Sequence, residues 1–435
     1  MNTCEPWPEL ETARARVLVI QTKLHRWAGA DRQRRFDDLY NLVADPAFLV
    51  TAWNRVRENK GSRSAGVDGR TAYSIEASKQ GVVGFLAELR TELKARAFRP
   101  LPVRQRQIPK TDGRLRSLGI PVIRDRVVQA ALKLVLEPIL EADFHPVSYG
   151  FRPSRRAQDA IEEIRHFAHR KYEWVFEGDI AACFDEIDHG ALMGRLSRRV
   201  GDKRVLALVK GFLKAGLLTE AGIDRETHTG TPQGGILSPL LANLALSVLD
   251  EHFVERWQRD SATTDRRVRR RRLGLPIYRL VRYADDFVVM VCGTRDQAAN
   301  LVDEVGAVLD TVGLRLALDK TRAVHIDEGF DFLGFRIKRD TRSGSSKRFI
   351  YTYPAARAVA AIKRKVKDVT RQEFDRPLAD LLKQLGPVLR GWAVYFRHGV
   401  SKATFGYLFH YTWKRVGRWM RREHPHVGWR RLQQR

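Results

Sequence analysis

The sequence predicts an α+β protein whose last part is a separate α-helical domain. Between about residues 100 and 350, short apolar strands alternate with helices of unequal length, a pattern that disfavours a regular parallel sheet. After about residue 350 the strand patterns stop, and residues 355–435 hold 19 Lys and Arg against 5 Asp and Glu. With 435 residues, 43% of them hydrophobic, the chain can form two or three domains with a sizeable core.

Each element follows from its hydrophobic period and its flanking turn residues. Residues 36–60 predict two helices separated at Pro46, and the Gly/Ser/Asp-rich residues 61–69 predict a loop. Further helices are predicted at 84–97, 124–140, 155–170, 189–215, 237–257 and 296–312. Strands are predicted at 174–180, 278–283, 287–291 and 330–337.

Two segments allow both a structural and a functional interpretation. The basic run RRVRRRR (266–272) predicts a solvated loop, which could also contact phosphates. Near the C terminus, one helical face carries apolar residues and is expected to be core: Phe405, Leu408, Phe409, Thr412, Val416, Trp419 and Met420. The opposite face carries cations suited to phosphate contacts: Lys414, Arg415, Arg418 and Arg421.

The charge points to a polyanionic partner. Lys and Arg exceed Asp and Glu by 27, more than solubility requires, which indicates nucleic acid or an anionic membrane surface. Three scattered cysteines are too few for a disulfide framework or a Cys-based zinc site. We expect a cytoplasmic protein, in a bacterial cytosol, since no signal peptide is visible and the apolar stretch 127–140 is interrupted by Lys133 and Glu137.

Two acidic clusters lie at the ends of hydrophobic strands. Asp285 and Asp286 lie between two apolar runs, where a hairpin turn is expected, although Asp is also simply a good turn former. Asp179 follows another strand, where an isolated Asp is more often a helix cap. If these three carboxylates converged on one sheet edge, they would require cations between them. Two Mg²⁺ ions would suit phosphoryl or nucleotidyl transfer.

These clusters carry a family resemblance. Tyr283-Ala284-Asp285-Asp286 resembles the YxDD motif of reverse transcriptases, and Asp179 with Phe184 resembles their first catalytic motif. Residues 230–250 resemble the motif that lines the template and nucleotide pocket. Four further segments closely resemble group II intron-encoded reverse transcriptases, also called maturases: 54–69, 99–129, 148–161 and 391–425.

The resemblance extends over roughly residues 50–425 and implies a right-hand polymerase. It implies an N-terminal helical extension at 1–35, fingers and palm at 36–350, and an α-helical thumb, or maturase domain X, at 351–435. No CxxC pair is present, so no HNH endonuclease domain is expected.

The resemblance also implies residue roles. Asp179 and Asp285 would be ligands of both Mg²⁺ ions, with the Ile180 carbonyl as a further ligand and Asp286 completing the acidic triad. Lys320 matches a lysine proposed to protonate pyrophosphate, although a lone lysine is ordinarily solvated surface.

Further implied roles concern substrate binding. Lys110, Arg114 and Arg116 would bind the triphosphate. Without the resemblance, this segment would be interpreted as a basic surface hairpin around Asp112-Gly113. Phe184, also compatible with an ordinary core position, would exclude a ribose 2′-OH. Nucleotide or template contacts are implied for Gln233 and Gly234, and a primer grip for Phe332, Leu333 and Gly334.

The implied function is an RNA-directed DNA polymerase that binds group II intron RNA, assists its splicing and copies it into cDNA for retromobility. Its partners would be an RNA template with a DNA primer, dNTPs and a DNA target, with no role at a membrane. Two alternatives stay open: a non-polymerising maturase, and a domesticated reverse transcriptase in defence or DNA repair. Monomer and dimer are both compatible with the sequence.

Overall fold

A computed structural model describes residues 7–109, 115–219, 224–225, 229–231, 234–342, 344–371 and 377–428. The helices are α1 (Leu10–Ala30), α2 (Tyr40–Val43), α3 (Pro46–Glu58), α4 (Ala72–Glu76), α5 (Gly81–Lys94), α6 (Ile123–Glu141), α7 (Ala157–His169), α8 (Cys183–Glu186), α9 (His189–Ser197), α10 (Lys203–Leu213), α11 (Ser238–Ser261), α12 (Thr264–Arg272), α13 (Arg295–Ala299), α14 (Leu301–Asp310), α15 (Ala356–Val369), α16 (Leu378–Phe396) and α17 (Lys402–Glu423). The strands are β1 (Val103–Pro109), β2 (Leu115–Ile120), β3 (Trp174–Gly178), β4 (Leu217–Leu218), β5 (Asp224–Arg225), β6 (Ile277–Tyr283), β7 (Asp286–Cys292), β8 (Arg322–His325), β9 (Phe330–Phe332), β10 (Phe335–Thr341) and β11 (Arg348–Pro354).

The strands form three sheets, with orders β2-β1-β4-β5, β6-β7-β3-β8 and β11-β10-β9. Pairing is mostly antiparallel, and β1 pairs with β4 in parallel. Mixed sheets among helices of unequal length confirm the predicted α+β class.

The described residues group into two compact units. The first takes residues from 7–154, 178–259 and 301–321. Its core is built where α6 packs against α1 and α3. Most residues of α6 are buried, on all faces of the helix. The fully buried residues there include Phe48, Leu49, Leu132 and Leu136.

The second unit takes residues from 155–177, 260–300 and 322–428. Consecutive residues of strands β6 and β7 are buried, which shows that both faces of this sheet are covered. At the C-terminal end, Trp419 packs with Val366, Leu381 and Leu385 in the core of α15–α17. The Trp419 indole N–H is buried and has no hydrogen-bond partner among the described residues.

Three sequence predictions need correction. The run 266–272 is helical, not a loop, because Arg is a good helix former and the Thr263 hydroxyl caps the first turn of α12. The helix predicted at 189–215 is two helices, since the Asp202 side chain caps a new start at α10. Phe409 is 75% exposed, so the expected core stripe on α17 does not include it.

No helix within the described residues is both long and apolar enough to cross a membrane. The predicted domain boundaries at 35/36 and 350/351 stay predictions.

Candidate active site

The hairpin of β6 and β7 places two acidic residues at its tip. Tyr283 and Asp286 form the last pair of the ladder, so Ala284 and Asp285 make a two-residue turn. Asp285 is half-buried and Asp286 is exposed, whereas the strand residues behind them are buried. The predicted turn is therefore confirmed, with both carboxylates at the end of a rigid apolar ribbon.

The backbone of this turn is strained at Ala284. Its φ of 58° lies in the left-handed region, which glycine adopts far more easily than alanine. The buried Arg282 guanidinium donates from Nη1 to the Ala284 carbonyl at 2.9 Å and holds the turn in place. Because strained backbone concentrates at functional sites, this turn is a candidate site on structural grounds.

The segment after β3 presents Asp179. Its carbonyl accepts the Ala317 N–H at 2.7 Å, and the Ala181 N–H donates to the Arg315 carbonyl at 2.9 Å. These two bonds flank the bridge between Ile180 and Leu316, so the Ile180 carbonyl takes part in neither. The pairing fixes the backbone at residues 179–181 and holds the Asp179 side chain at the surface, with 37% of it exposed.

Lys320 meets Asp179 directly. Its Nζ lies 2.6 Å from Asp179 Oδ2, although 141 residues separate the two in the chain. The turn that carries Lys320 is closed by its own N–H, which donates to the Ala317 carbonyl at 3.0 Å. The structure thus brings together two residues that the family pattern selected separately.

Phe184 is buried in the short helix α8, where its carbonyl accepts the Thr231 N–H at 2.6 Å. Gly230, with φ of 81°, lies so close to Asp185 that a Cβ would approach its backbone to 2.6 Å. The His189 ring bonds the Gly230 carbonyl at 2.6 Å. The loop that precedes α11 is therefore fastened to the segment that carries Phe184.

Gly234 makes a second contact of that loop, with the strand that also carries Arg116. A Cβ on Gly234, whose φ is 113°, would lie 2.5 Å from the Gly119 carbonyl oxygen in β2. Arg116 is exposed on the same strand and opposite Ile108 of β1. Glycine is required at position 234 because the two backbones approach so closely. Lys110, Arg114 and Gln233 lie outside the described residues.

Leu333 and Gly334 form the turn between β9 and β10, with φ values of 48° and 80°. The strand predicted at 330–337 is therefore two strands joined by this turn, and Phe332 precedes the turn. The Tyr395 hydroxyl donates to the Leu333 carbonyl at 2.9 Å. Burial, together with a smaller effect of the nearby Tyr283, raises the pKa of Tyr395 to about 12.

The four cations predicted on α17 divide into two kinds. Lys414, Arg418 and Arg421 are exposed, as phosphate contacts require. The Arg415 guanidinium instead donates to the Thr370 hydroxyl at 2.9 Å and so ties α17 to the end of α15. Structure alone therefore assigns Arg415 a role in holding these two helices together.

The donor atoms at this site suit Mg²⁺. Asp179, Asp285, Asp286 and the Ile180 carbonyl all offer hard oxygens, the ligands that this ion prefers. The Lys320 ammonium, bound to Asp179, already demonstrates that this carboxylate attracts a cation. Within the described ranges, no three His, Cys, Asp or Glu side chains form a metal cage. Mg²⁺ is commonly held by one or two carboxylates together with substrate phosphates, so these donors fit such an ion.

Sequence reasoning missed Arg282 and His189, which hold the turn at Ala284 and the loop at Gly230. The available signal for Arg282 was an arginine between apolar residues of β6, but Arg279 in the same strand gives the same signal. His189 had no local signal, because its partner lies 41 residues away in the chain.

Two family models match the chain. The model for reverse transcriptase (RNA-dependent DNA polymerase) matches residues 108–337, and the model for the group II intron maturase-specific domain matches residues 359–435.

Curated relatives agree with these matches. Protein YkfC of Escherichia coli (strain K12) is 37% identical over 79% of this chain and 93% of its own length. Group II intron-encoded protein LtrA of Lactococcus lactis subsp. cremoris is 32% identical over 76% of this chain. The matched region spans 61% of LtrA, about three fifths of that protein's length.

Solved structures are more distant. A telomerase from Candida albicans in complex with telomeric RNA has a TM-score of 0.39 at 16% identity, over 75% of this chain and 63% of that one. A partial Cas6-RT-Cas1–Cas2 complex has a TM-score of 0.36 at 23% identity, over 65% of this chain and 43% of that one. At such scores the family models and the sequence relatives carry the comparison.

Proposed function

We propose roles for individual residues on the basis of the family. The chain belongs to the reverse transcriptase family and carries the maturase-specific domain of group II intron proteins. In this proposal Asp179, Asp285 and Asp286 hold two Mg²⁺ ions while the 3′ end of a DNA primer is extended on an RNA template. The protein also binds group II intron RNA, assists its splicing and copies it for insertion at a DNA target.

The observation that carries the polymerase proposal is that acidic residues lie at the ends of two hydrophobic strands. Strands β3 and β7 are neighbours in one sheet, Asp179 directly follows β3, and Asp286 begins β7. The strain at Ala284 supports a functional origin for the turn, since an ordinary hairpin would have glycine there.

When bound, Mg²⁺ lowers the pKa of the attacking hydroxyl and stabilises charge on the transferring phosphate and the leaving group. Asp179 and Asp285 would hold both ions, Asp286 would complete the triad, and the Ile180 carbonyl, which is outside the flanking hydrogen bonds, would be an extra ligand. Lys320, held beside Asp179, would give a proton to the pyrophosphate oxygen as it departs.

Substrate binding is proposed for the surrounding segments. Phe184 would lie beneath the incoming sugar and exclude a 2′-OH, while Arg116, with Lys110 and Arg114, would bind the triphosphate. Gln233 and Gly234 would lie along the base pair, and the turn at Phe332, Leu333 and Gly334 would support the primer. Exposed Lys414, Arg418 and Arg421 support intron RNA binding through phosphate contacts, and Arg415 would support that surface by tying α17 to α15.

Primer extension tests the polymerase proposal. With an RNA template, a DNA primer and Mg²⁺, we expect Asp285→Asn to lower the extension rate by about 10³-fold or more, because a neutral amide is a poor Mg²⁺ ligand. Asp303→Asn is a matched control, since Asp303 is an exposed aspartate on α14. Full extension by Asp285→Asn, or none by the unaltered protein, would overturn the proposed metal site.

A splicing assay separates the two activities. We expect the Asp285→Asn protein to promote splicing of the cognate intron as the unaltered protein does, because RNA binding is assigned to other residues. An equal rate of splicing with and without protein would remove the proposed maturase role. A catalytic intron RNA encoded around the reading frame would support the intron role against a domesticated one.

A further inference from the structure

The end of helix α5 has an unusual residue at a position that favours glycine. Arg96 has a φ of 56°, its N–H donates to the Leu93 carbonyl at 3.0 Å, and the Ala97 N–H donates to the Glu92 carbonyl at 2.9 Å. These two bonds define a Schellman motif, in which the left-handed residue is usually glycine. An arginine there strains the backbone, so its side chain is expected to serve a purpose that glycine cannot.

Arg96 lines two adjoining cavities of about 530 and 500 Å³. Tyr40 and Arg204 line both cavities as well, which makes them parts of one groove. We call this surface the Arg96 groove and define it by its six cations: Arg90, Lys94, Arg96, Arg99, Lys203 and Arg204.

Acidic groups near the groove already have partners. Asp45 binds the Arg16 guanidinium at 2.8 Å, and Asp202 binds Arg204 at 2.9 Å. Within the described part of the chain, none of the other five cations of the groove forms an ion pair. The Arg99 guanidinium donates to the carbonyls of Arg96 and Phe98, and no carboxylate among the described residues pairs with it. The groove therefore has a strong positive excess that an anionic ligand would offset.

The floor of the groove limits how a nucleic acid could be recognised. Tyr40 and Phe98 are 7% and 4% exposed, and the Tyr40 hydroxyl donates to the Leu93 carbonyl at 2.8 Å. These rings are thus part of the core and offer no face on which a base could stack. Lys94, Arg96, Arg99 and Lys203, in contrast, are exposed. Such a surface contacts phosphates and does not read sequence.

We infer that the Arg96 groove is a nucleic-acid backbone site, separate from the polymerase residues, which binds the phosphates of RNA without sequence preference. RNA as the ligand rests on the proposed function, whereas phosphate recognition rests on the groove itself. We expect Arg96 to contribute most to this binding, because it lines both cavities and keeps a strained backbone conformation that glycine would adopt without strain.

Arg96→Gly tests this inference with little risk to the fold, because glycine suits the left-handed position. We expect its melting temperature to equal or exceed that of the unaltered protein. Its affinity for a 30-nucleotide RNA, measured by fluorescence anisotropy, should fall roughly three- to tenfold, and the slope of log affinity against log salt should fall by about one. Lys203→Ala, which leaves the strained turn intact, should weaken binding similarly.

Lys79→Gly serves as the control, since Lys79 is an exposed cation that does not line the groove, and its RNA affinity should stay unchanged. A second RNA of the same length and a DNA of the same sequence should lose affinity for Arg96→Gly equally. Unchanged RNA affinity in both Arg96→Gly and Lys203→Ala would overturn the inference, as would a loss confined to one RNA sequence. Binding is measured without primer or dNTPs, so failure here is distinct from failure of the Asp285→Asn experiment.

Discussion

Asp202, at the start of α10, and Asp179, at the end of β3, use the same side chain in opposite ways. Asp202 is 3% exposed and accepts N–H groups from Leu39, Tyr40 and Arg204, together with the Arg204 guanidinium. Asp179 is partly exposed, and its carboxylate meets the Lys320 ammonium. The first carboxylate is saturated by protein donors, whereas the second keeps oxygens available for a ligand. Burial and the number of donors together therefore distinguish the structural Asp202 from the candidate functional Asp179.

The pKa of a buried aspartate depends on how many donors its carboxylate accepts. Burial by itself would raise the pKa of Asp202, but the Arg204 side chain and the backbone N–H groups lower it to about 2. Asp125 is a third case, because it is 1% exposed and has a single backbone donor, Leu101 N–H at 2.8 Å. Burial dominates there and raises the pKa of Asp125 to about 7.

Among the three aspartates compared, Asp202 is expected to have the largest effect on stability. Asp202→Asn removes a buried charge that accepts three backbone N–H groups and the Arg204 guanidinium, and it should lower the free energy of unfolding by about 3 kcal/mol. Asp179→Asn should change that free energy by no more than about 0.5 kcal/mol, because the side chain is partly solvated. Urea unfolding of both variants measures this difference. If the two variants lost equal stability, the contrast between a structural and an open carboxylate would be wrong.

A somewhat smaller effect is expected on catalysis at Lys320. Lys320→Met should slow single-nucleotide incorporation by about 10²-fold, because it removes the proposed proton donor. Rapid-quench measurements under single-turnover conditions report this rate. Lys347→Met, at an exposed lysine in the turn before β11, is the control and should incorporate nucleotides normally. Equal rates for both variants would leave Lys320 as only a counter-ion of Asp179.

The smallest effect is expected on the pH dependence of stability, at Asp125. Native Asp125 keeps its proton up to a pKa of about 7, whereas the unfolded chain releases it near 4, so stability declines as pH rises between these values. From pH 6 to pH 7 this group should lower the free energy of unfolding by about 1 kcal/mol.

Asp125→Asn should remove that decline, because the amide does not titrate. Urea unfolding at pH 6 and pH 7 checks the difference between the two proteins. An identical pH slope in the variant and the unaltered protein would assign the decline to other groups.

Sequence patterns predicted the buried strands well, because β3, β6 and β7 are apolar runs bounded by polar residues. They failed where a polar contact decides the structure. Thr263 caps a helix in a run of arginines, and Asp202 starts a new helix inside a continuous apolar pattern.

Long-range contacts explain what the sequence could not predict about the candidate site. The family pattern selected Asp179 and Lys320, but nothing local indicates that residues 141 apart form an ion pair. The Arg96 groove combines cations from α5 and α10, which lie about a hundred residues apart in the chain, so it becomes visible only in three dimensions. Phe409 was misplaced because helical periodicity defines an apolar face but does not specify how much of it is covered.

The environment of Trp419 gives the C-terminal helices an optical signature. Its indole is 2% exposed and packs among Val366, Leu381 and Leu385, whereas Trp27 and Trp413 are 39% and 45% exposed. An indole in such an apolar setting emits at shorter wavelength than one in water. Loosening of these helices would therefore shift its fluorescence to the red, so the native chain carries its own reporter of their packing.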